Sequence, residues 1–281
     1  MTKLDDKIVQ RFYLHNAVVK ENKSGILTIE AGTIVYEVFR TVSGIALFIE
    51  DHFERLAHSV KSVNPIIDID NLLGLFYSDI QKLIADNDFA EGNIKIVMAF
   101  NENCVNRYVY YLPHVYPTTQ MYDKGVHMVC LNAVRKNPDI KMLHQSIKEQ
   151  VNKILSDSNI YEVALVNENR ITEGSRSNLF FIKGNIVYTA PDNEVLLGIT
   201  RKYVLKILYD NNIDVVFDCI SLNSLPEFDA AFISGTSPKV LPVKSIENYT
   251  FSLPNSLLSF ISVEYDKLMT DYINKNKLYG K

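Results

Sequence analysis

The stretch from Pro138 to Glu173 constrains the fold most, because it joins a helical pattern to a strand pattern and carries an ionisable residue near each end. Its first half has apolar residues at helical spacing, and these are Leu143, Ile147, Val151, Ile154 and Leu155. This stripe predicts a helix with one buried face. The apolar run 161–166 that follows predicts a strand, and Glu173 lies at the end of the next apolar stretch.

Lys141, at the start of the predicted helix, has two interpretations. A lysine beside an apolar stripe is usually a solvated surface residue. A partly buried lysine can instead act as a nucleophile, since desolvation frees its amine to form a Schiff base. Glu173 also has two interpretations, a functional one and an ordinary one, because a carboxylate at a strand end is usually exposed to water. Spacing alone does not choose between these interpretations.

Composition narrows the class of protein. The chain has 281 residues, 47% of them hydrophobic, which is enough for one large or two modest domains. A net charge of -4 and the lack of a long basic run disfavour nucleic acid as a partner. The polar N-terminus and the lack of a long apolar run predict a cytoplasmic protein that is not bound to membranes. The three cysteines are far apart, which predicts buried thiols rather than a disulfide or a zinc site.

The order of patterns predicts a mixed α+β fold with two domains. Residues 1–116 combine short strands with helices from about Asp51, as N-cap, to Pro65 and over about 71–87. The Pro-containing polar stretch that follows predicts a linker at 117–123. Residues 124–281 then alternate strands with helices near Thr200 and over about 254–274.

Four motifs occur in an order that is far more specific than any one of them. Lys141 ends the triplet Asp-Ile-Lys, and 32 positions later (173 minus 141) Glu173 opens Glu-Gly-Ser-Arg-Ser-Asn-Leu-Phe. The others are Tyr36-Glu-Val with Glu50-Asp-His-Phe-Glu-Arg55-Leu, Leu197-Gly-Ile-Thr-Arg201, and Ser234-Gly-Thr-Ser-Pro-Lys-Val-Leu-Pro-Val243. Over most of the chain this order resembles the fold-type IV enzymes that use pyridoxal 5'-phosphate. That class contains the branched-chain and D-amino-acid aminotransferases and aminodeoxychorismate lyase.

The resemblance implies a smaller N-terminal α/β domain and a larger C-terminal mixed, β-barrel-like domain, with the cofactor between them. It assigns Lys141 as the Schiff-base lysine and Glu173 as the partner of the pyridine nitrogen. The residues that it implies for the cofactor phosphate are Arg55, Ile199, Thr200 and Thr236. A planar guanidinium and a helix N-terminus both suit a phosphate. Without the resemblance, Arg55 is interpreted as an exposed helix arginine, and Thr200 as an ordinary helix cap.

Weaker candidates for substrate binding are Tyr36, Lys95 and Ser237. On residue type alone, Tyr36 would belong to the core. Lys95 stands where lyase-like sequences have a lysine, so the resemblance allows it to receive a carboxylate, and an outward-facing strand lysine is the equal alternative. The sequence also departs from the resemblance. Phe100-Asn101 stands where many relatives have Arg-Gly, and the D-amino-acid branch uses that arginine for the substrate carboxylate. A D-amino-acid substrate is therefore disfavoured.

The function implied is that of a cytoplasmic, homodimeric class IV aminotransferase that uses pyridoxal 5'-phosphate. It would move an amino group between an amino acid, possibly branched-chain, and a 2-oxo acid. One alternative is aminodeoxychorismate lyase, which has the same cofactor and releases pyruvate and 4-aminobenzoate. Another is a protein that binds the cofactor or a substrate without turnover. No metal is expected.

Overall fold

The computed structural model describes residues 1–89, 91–102 and 104–279. These residues form two compact units. The first contains 1–115, 140–145 and 271–279, and the second contains 116–139 and 146–270. The sequence predicts a single division, at 117–123, whereas here two later segments belong to the first unit.

The first unit is built on an antiparallel sheet with strand order β3-β2-β8-β7-β5-β6, beside a separate antiparallel pair of β1 and β4. Its strands are β1 (Thr2–Lys7), β2 (Phe12–His15), β3 (Val18–Glu21), β4 (Ile26–Ala31), β5 (Thr33–Val42), β6 (Ile45–Ala46), β7 (Gly92–Phe100) and β8 (Val105–Leu112). Its helices are α1 (Ile49–Val63) and α2 (Ile69–Asn87).

The two faces of this sheet have different partners. On one face, Phe39 of β5 is buried together with Leu56 of α1 and Phe76 of α2. On the other face, Tyr110 of β8 is buried in a cluster with Leu4 of β1. Because side chains alternate along a strand, β5 presents its odd-numbered residues to the helices and its even-numbered residues to the opposite face.

The second unit contains a mixed sheet with strand order β14-β13-β12-β16-β17-β9-β10-β11-β15, and β18 pairs with β17. Its strands are β9 (Val126–Asn132), β10 (Glu162–Asn167), β11 (Arg170–Gly174), β12 (Asn178–Lys183), β13 (Ile186–Thr189), β14 (Asp214–Phe217), β15 (Ile220–Ser221), β16 (Ala230–Gly235), β17 (Lys239–Ile246) and β18 (Tyr249–Thr250). Its helices are α3 (Thr119–Lys124), α4 (Gln145–Ile154), α5 (Ile199–Asp210) and α6 (Ser256–Tyr279), whose last turns belong to the first unit. Two 3-10 turns lie at Asp192–Glu194 and Leu222–Glu227.

The faces of the second sheet are also distinct. Ile233 and Phe181 lie in a large buried cluster on one face. On the other face, Phe180 of β12 stacks on Phe232 of β16 with a ring separation of 4.8 Å, and α5 packs against β16. This arrangement places the N-terminus of α5 over the end of β16.

The mixed α+β fold class is confirmed, and the predicted helices form where their apolar stripes require them. The N-cap of the first helix was predicted wrongly: it is Phe48, not Asp51. Asp51 and Glu50 lie in the first turn instead, where negative charge favours the positive end of the helix dipole. The short N-terminal strand β1 was not predicted, because its charged residues give it little strand character.

The helices were also compared with the length and hydropathy of membrane-spanning segments. Among the described helices, none combines the length and the apolar character that crossing a membrane requires.

Gly125 ends α3 in a left-handed conformation (φ 72°), where a Cβ would lie 2.8 Å from the Lys244 backbone nitrogen. Gly184 is a matched control, since it also has a positive φ (58°) but a Cβ there would have no atom within 4 Å. We expect Gly184→Ala to lower the free energy of unfolding by about 1 kcal/mol through backbone strain alone. Gly125→Ala should cost about 1–3 kcal/mol more through the clash. Urea unfolding followed by circular dichroism measures both, and equal losses would contradict the steric argument.

Candidate active site

Lys141 lies in the segment 140–145, which pairs with β5 before α4 begins. The Lys141 carbonyl accepts a hydrogen bond from the Tyr36 backbone nitrogen (3.1 Å), and the Leu143 nitrogen donates to the Ile34 carbonyl (2.9 Å). The Lys141 nitrogen donates to the hydroxyl of Ser59, a fully buried residue of α1 (3.0 Å). Both peptide groups of Lys141 are therefore fixed within the first unit. The residue precedes the helix rather than opening it.

The first unit brings together three of the predicted site residues around one aromatic ring. The Lys141 ammonium lies 5.1 Å from the centre of the Tyr36 ring, and the Lys95 ammonium lies 4.6 Å from the same centre. Both distances are within the range of a cation-π contact. Tyr36 is half-buried, so its ring is a shared contact surface for the two lysines rather than an enclosed core residue.

Lys95 is buried rather than outward-facing. Its ammonium lies 2.6 Å from Asp6 Oδ2, and the Tyr110 hydroxyl donates to the same oxygen (2.8 Å). Burial first, and then the negative charge of Asp6, raises the pKa of Tyr110, so the phenol remains a proton donor. Asp6 thus compensates the charge that Lys95 carries into the unit. Asp6 was not identified from the sequence, since it lies on the unpredicted strand β1.

Arg55 is nearly enclosed, in contrast to the exposed helix arginine that residue type alone favours. Its Nε donates to Glu37 Oε2 (2.9 Å) and its Nη2 donates to Glu37 Oε1 (2.6 Å), a bidentate pair. His52 Nδ1 also donates to Glu37 Oε1 (3.1 Å). Glu37 and His52 are buried, so this carboxylate orients the guanidinium from the strand side. The sequence signal for the pair of Glu37 and Arg55 was Glu37 itself, because a charged residue at a strand position that faces the helices requires a buried partner.

The charges in this group shift two pKa values. Burial would raise the pKa of Glu37, but the charge of Arg55 and the hydrogen bonds from Arg55 and His52 hold it well below its ordinary value. Burial lowers the pKa of His52, and the attraction of Glu37 only partly offsets this, while the charges of Arg55 and Lys141 lower it further. Glu37 is therefore ionised and His52 neutral at pH 7.

Glu173 in the second unit is also buried, at 2% exposure, rather than at an exposed strand end. Its Oε1 lies 2.8 Å from Arg135 Nε, and its Oε2 accepts a hydrogen bond from the Leu196 nitrogen (3.1 Å). Arg135 Nη2 also donates to the Ser175 carbonyl (2.5 Å). Arg135 was missed in the sequence, although a buried carboxylate generally requires such a counter-charge.

The turn after Glu173 is held by a second buried glutamate. Glu162 accepts hydrogen bonds from the hydroxyls of Ser175 (2.5 Å) and Ser177 (3.0 Å). The Gly174 nitrogen donates to the Ser177 carbonyl (2.8 Å), and a Cβ at Gly174 would collide with the Ser177 hydroxyl. The small and hydroxyl residues of the motif are thus required by this tight turn. Glu162 itself was not identified from the sequence.

Ile199 and Thr200 are the first two residues of α5, and both are buried. The N-cap is Gly198 without a side-chain cap, so Thr200 does not cap the helix. Its hydroxyl lies 3.4 Å from the Tyr265 hydroxyl. The helix N-terminus carries the partial positive charge that favours an anion.

Thr236 and Ser237 lie in the turn between β16 and β17, and both are half-buried. Contacts that hold the turn include an ion pair between Lys239, the first residue of β17, and Asp266 of α6 (2.6 Å), and a hydrogen bond from the Tyr122 hydroxyl to the Pro238 carbonyl (3.1 Å). The predicted site residues are therefore divided between the units. Lys141, Tyr36, Lys95 and Arg55 lie in the first, while Glu173, Ile199, Thr200, Thr236 and Ser237 lie in the second.

We expect acid to destabilise the fold through His52 before it acts through Glu37. The pKa of His52 is lower in the folded protein than in the unfolded chain, where it is about 6.5. Below that pH the unfolded chain binds more protons than the folded protein, so the free energy of unfolding falls as the pH falls through about 6.5. The corresponding loss from Glu37 starts only below about 4.3, the unfolded pKa of a glutamate.

The variant His52→Asn tests this expectation, because asparagine keeps an amide donor near Glu37 but has no group that titrates in this pH range. Urea midpoints measured at pH 7.5 and 5.5 should fall less for this variant than for the wild type. A wild-type slope retained in His52→Asn would refute the assignment.

Comparison with known proteins places the chain in a family. Residues 34–246 match the family Amino-transferase class IV. D-alanine aminotransferase from Bacillus licheniformis is 25% identical over 230 residues, which cover 78% of this chain and 81% of that protein. The branched-chain amino acid aminotransferase of T.th., in a structure with pyridoxamine 5'-phosphate, superimposes with a TM-score of 0.80 at 17% identity, over 95% of this chain and 96% of that one.

A putative 4-amino-4-deoxychorismate lyase from Legionella pneumophila superimposes with a TM-score of 0.71 at 18% identity, over 83% of this chain and 90% of that one. At such identities these two structures are similar in fold alone. The family match extends over well more than half of the chain and includes most of the motifs described above. The chain therefore belongs to the class IV aminotransferases, fold-type IV enzymes that depend on pyridoxal 5'-phosphate.

Proposed function

We propose that this enzyme transfers an amino group between an amino acid and a 2-oxo acid, and that Lys141 is the residue to which the cofactor is covalently attached. The observation that carries the proposal is the fixed position of Lys141, whose two peptide groups are bonded to β5 and α1 beside Tyr36. When bound, pyridoxal 5'-phosphate stabilises negative charge at the substrate Cα and carries the amino group between substrates. The Lys141 amine moves the proton at that carbon.

The donor set of the second unit fits such a cofactor. Glu173 holds a proton on a pyridine nitrogen, since it is a buried carboxylate whose charge Arg135 balances. A buried carboxylate paired in this way stays in one orientation, which suits a hydrogen bond to one atom of the cofactor ring, the pyridine nitrogen. The N-terminus of α5 with Thr200, and the turn with Thr236, supply donors for a phosphate.

The first unit supplies the guanidinium. Arg55 is the further phosphate ligand in this proposal, and Glu37 orients it through a bidentate pair. Tyr36 and Lys95 line the substrate side of the Lys141 amine, because both lysines contact the same ring. Ser237, next to Thr236, is the corresponding candidate in the second unit.

We expect Lys141→Ala to abolish covalent attachment of the cofactor and the yellow absorbance that accompanies it. Lys148→Ala is the matched control, since Lys148 is a nearby rival lysine and lies in α4. After borohydride reduction, mass spectrometry of peptides should locate the cofactor on residue 141 in the wild type and in Lys148→Ala. Attachment at Lys148, or unchanged absorbance in Lys141→Ala, would remove the central residue of the proposal.

For the amino donor we propose an L-amino acid with an apolar, branched side chain, as in the branched-chain members of the class. The choice of an L- over a D-amino acid rests on the end of β7, where Phe100 is buried in the core against the helices and Asn101 Oδ1 accepts from the Gly32 nitrogen (3.2 Å). Both residues serve the fold, and neither offers a cation to a carboxylate. The Bacillus licheniformis relative acts, by its name, on D-alanine, so the question requires a direct test.

The test is a half-reaction screen in which the yellow colour bleaches as each amino acid is added. We expect L-leucine, L-isoleucine or L-valine to bleach the protein at least about tenfold faster than D-alanine, a difference of roughly 1.4 kcal/mol in the barrier. Lys141→Ala serves as the blank. Faster bleaching by D-alanine would overturn the choice of donor but not the aminotransferase proposal.

The second candidate function is that of aminodeoxychorismate lyase. It is favoured by the buried Lys95 beside Tyr36, at a position where lyase-like sequences have a lysine, and by the fold similarity to the Legionella pneumophila protein. Release of 4-aminobenzoate and pyruvate from aminodeoxychorismate by purified protein, without 2-oxo acid, would establish this function in place of amino transfer.

We also propose that the enzyme is cytoplasmic and homodimeric. All three cysteines are free thiols, which suits a reducing compartment. The expectation that all three are buried was wrong, since Cys104 is exposed and only Cys219 is buried. The dimer follows from the family resemblance, and sedimentation equilibrium would test it.

A further inference from the structure

Ser234, at the end of β16, carries a buried hydroxyl for which the described residues provide no hydrogen-bond partner. The residue is 1% exposed. A hydroxyl removed from water without a partner is destabilising, and such groups are rare in folded proteins. Thr189 of the same sheet shows the ordinary solution, since its equally buried hydroxyl donates to the Leu179 carbonyl (2.8 Å). The exception at Ser234 therefore points to a group that the polypeptide itself does not supply.

The position of this hydroxyl follows from the strand register. Ser234 is paired directly with Asn178 of β12, and directly paired residues present their side chains on the same face of a sheet. The Asn178 side chain donates to the Leu196 carbonyl (2.9 Å), and a Cβ at Gly198 would collide with its amide oxygen. Gly198 is the N-cap of α5. The Ser234 hydroxyl thus lies on the sheet face that carries the N-terminus of α5.

Two independent features therefore meet at this place. The first is the N-terminus of a twelve-residue helix, whose backbone dipole favours negative charge. The second is a buried hydroxyl donor on the adjoining sheet face. Ser234 is also followed directly by Gly235 and Thr236, small residues that let an anion approach the backbone. A tetrahedral oxyanion with several acceptor oxygens suits this combination of donors.

We propose that the Ser234 hydroxyl donates a hydrogen bond to the phosphate group of the cofactor, as a binding residue additional to Thr200 and Thr236. The proposal rests on the proposed function, because it assumes that the second unit holds the phosphate of pyridoxal 5'-phosphate. The proposal explains why the Ser234 hydroxyl has no partner among the described residues: its partner is the phosphate monoester of the cofactor. Ser234 then contributes to affinity for the phosphate and not to the stability of the cofactor-free fold.

The test compares Ser234→Ala with Thr189→Val, each of which removes one buried hydroxyl from the same sheet. In cofactor-free protein, Thr189→Val should lower the urea midpoint, because it removes a satisfied hydrogen bond. Ser234→Ala should leave the midpoint unchanged or raise it. Affinity for pyridoxal 5'-phosphate should fall about tenfold in Ser234→Ala and stay at the wild-type value in Thr189→Val.

Two further ligands identify the group that is bound. Pyridoxal, which lacks the phosphate, should bind the wild type and Ser234→Ala equally. Millimolar inorganic phosphate should raise the melting temperature of the cofactor-free wild type more than that of Ser234→Ala. Equal phosphate effects, an equal loss of pyridoxal binding, or a loss of stability like that of Thr189→Val would each overturn the proposal.

The result separates this inference from the proposed function. If wild-type protein binds pyridoxal 5'-phosphate and Ser234→Ala binds it equally well, only the role of Ser234 is refuted. If the wild type binds inorganic phosphate in a Ser234-dependent manner but does not bind the cofactor, the proposed function fails and the anion site remains. A wild type that binds neither refutes both.

Discussion

The position of Lys141 depends on backbone hydrogen bonds more than on any contact of its side chain. The segment that carries it is bonded to β5 on both sides of Met142, through the Lys141 carbonyl and the Leu143 nitrogen, and the lysine nitrogen is bonded to Ser59 of α1. A lysine amine sits at the end of a flexible four-carbon stem, so its reach is defined only if its Cα is fixed. The pairing with β5 provides this definition. It also explains why 140–145 belongs to the first unit, although the chain on either side belongs to the second.

Buried carboxylates organise the rest of the chemistry, and each is satisfied by a different means. Glu37 is paired with Arg55 and a neutral histidine, Glu173 with Arg135 and a backbone amide, and Glu162 accepts from two hydroxyls and two backbone amides. A charge removed from water is tolerated only with such partners. Because each unit satisfies its own carboxylates, the orientation of each candidate side chain is set within that unit. Arg55 and Glu173 therefore each keep a fixed direction within their own unit.

The sequence predicted the fold class and the main helices, and it singled out Lys141, Glu173 and Arg55 as candidate site residues. These depend on local patterns: apolar stripes for the helices, and motif spacing for Lys141, Glu173 and Arg55. It did not predict the partners Asp6, Glu162 and Arg135. Each of these is an ordinary charged residue locally, and it acquires its role only when strands distant in sequence become neighbours. The assignment of each site residue to the cofactor or the substrate remains a prediction, as do the domain limits.

The backbone pairing of the lysine segment has a consequence for how such an enzyme diversifies. Hydrogen bonds between peptide groups are indifferent to the side chains that flank them, so Met142 and His144 can be exchanged without displacing the amine of the nearby lysine. The side chains around Lys141 can thus change over time without disturbing the anchorage of its backbone.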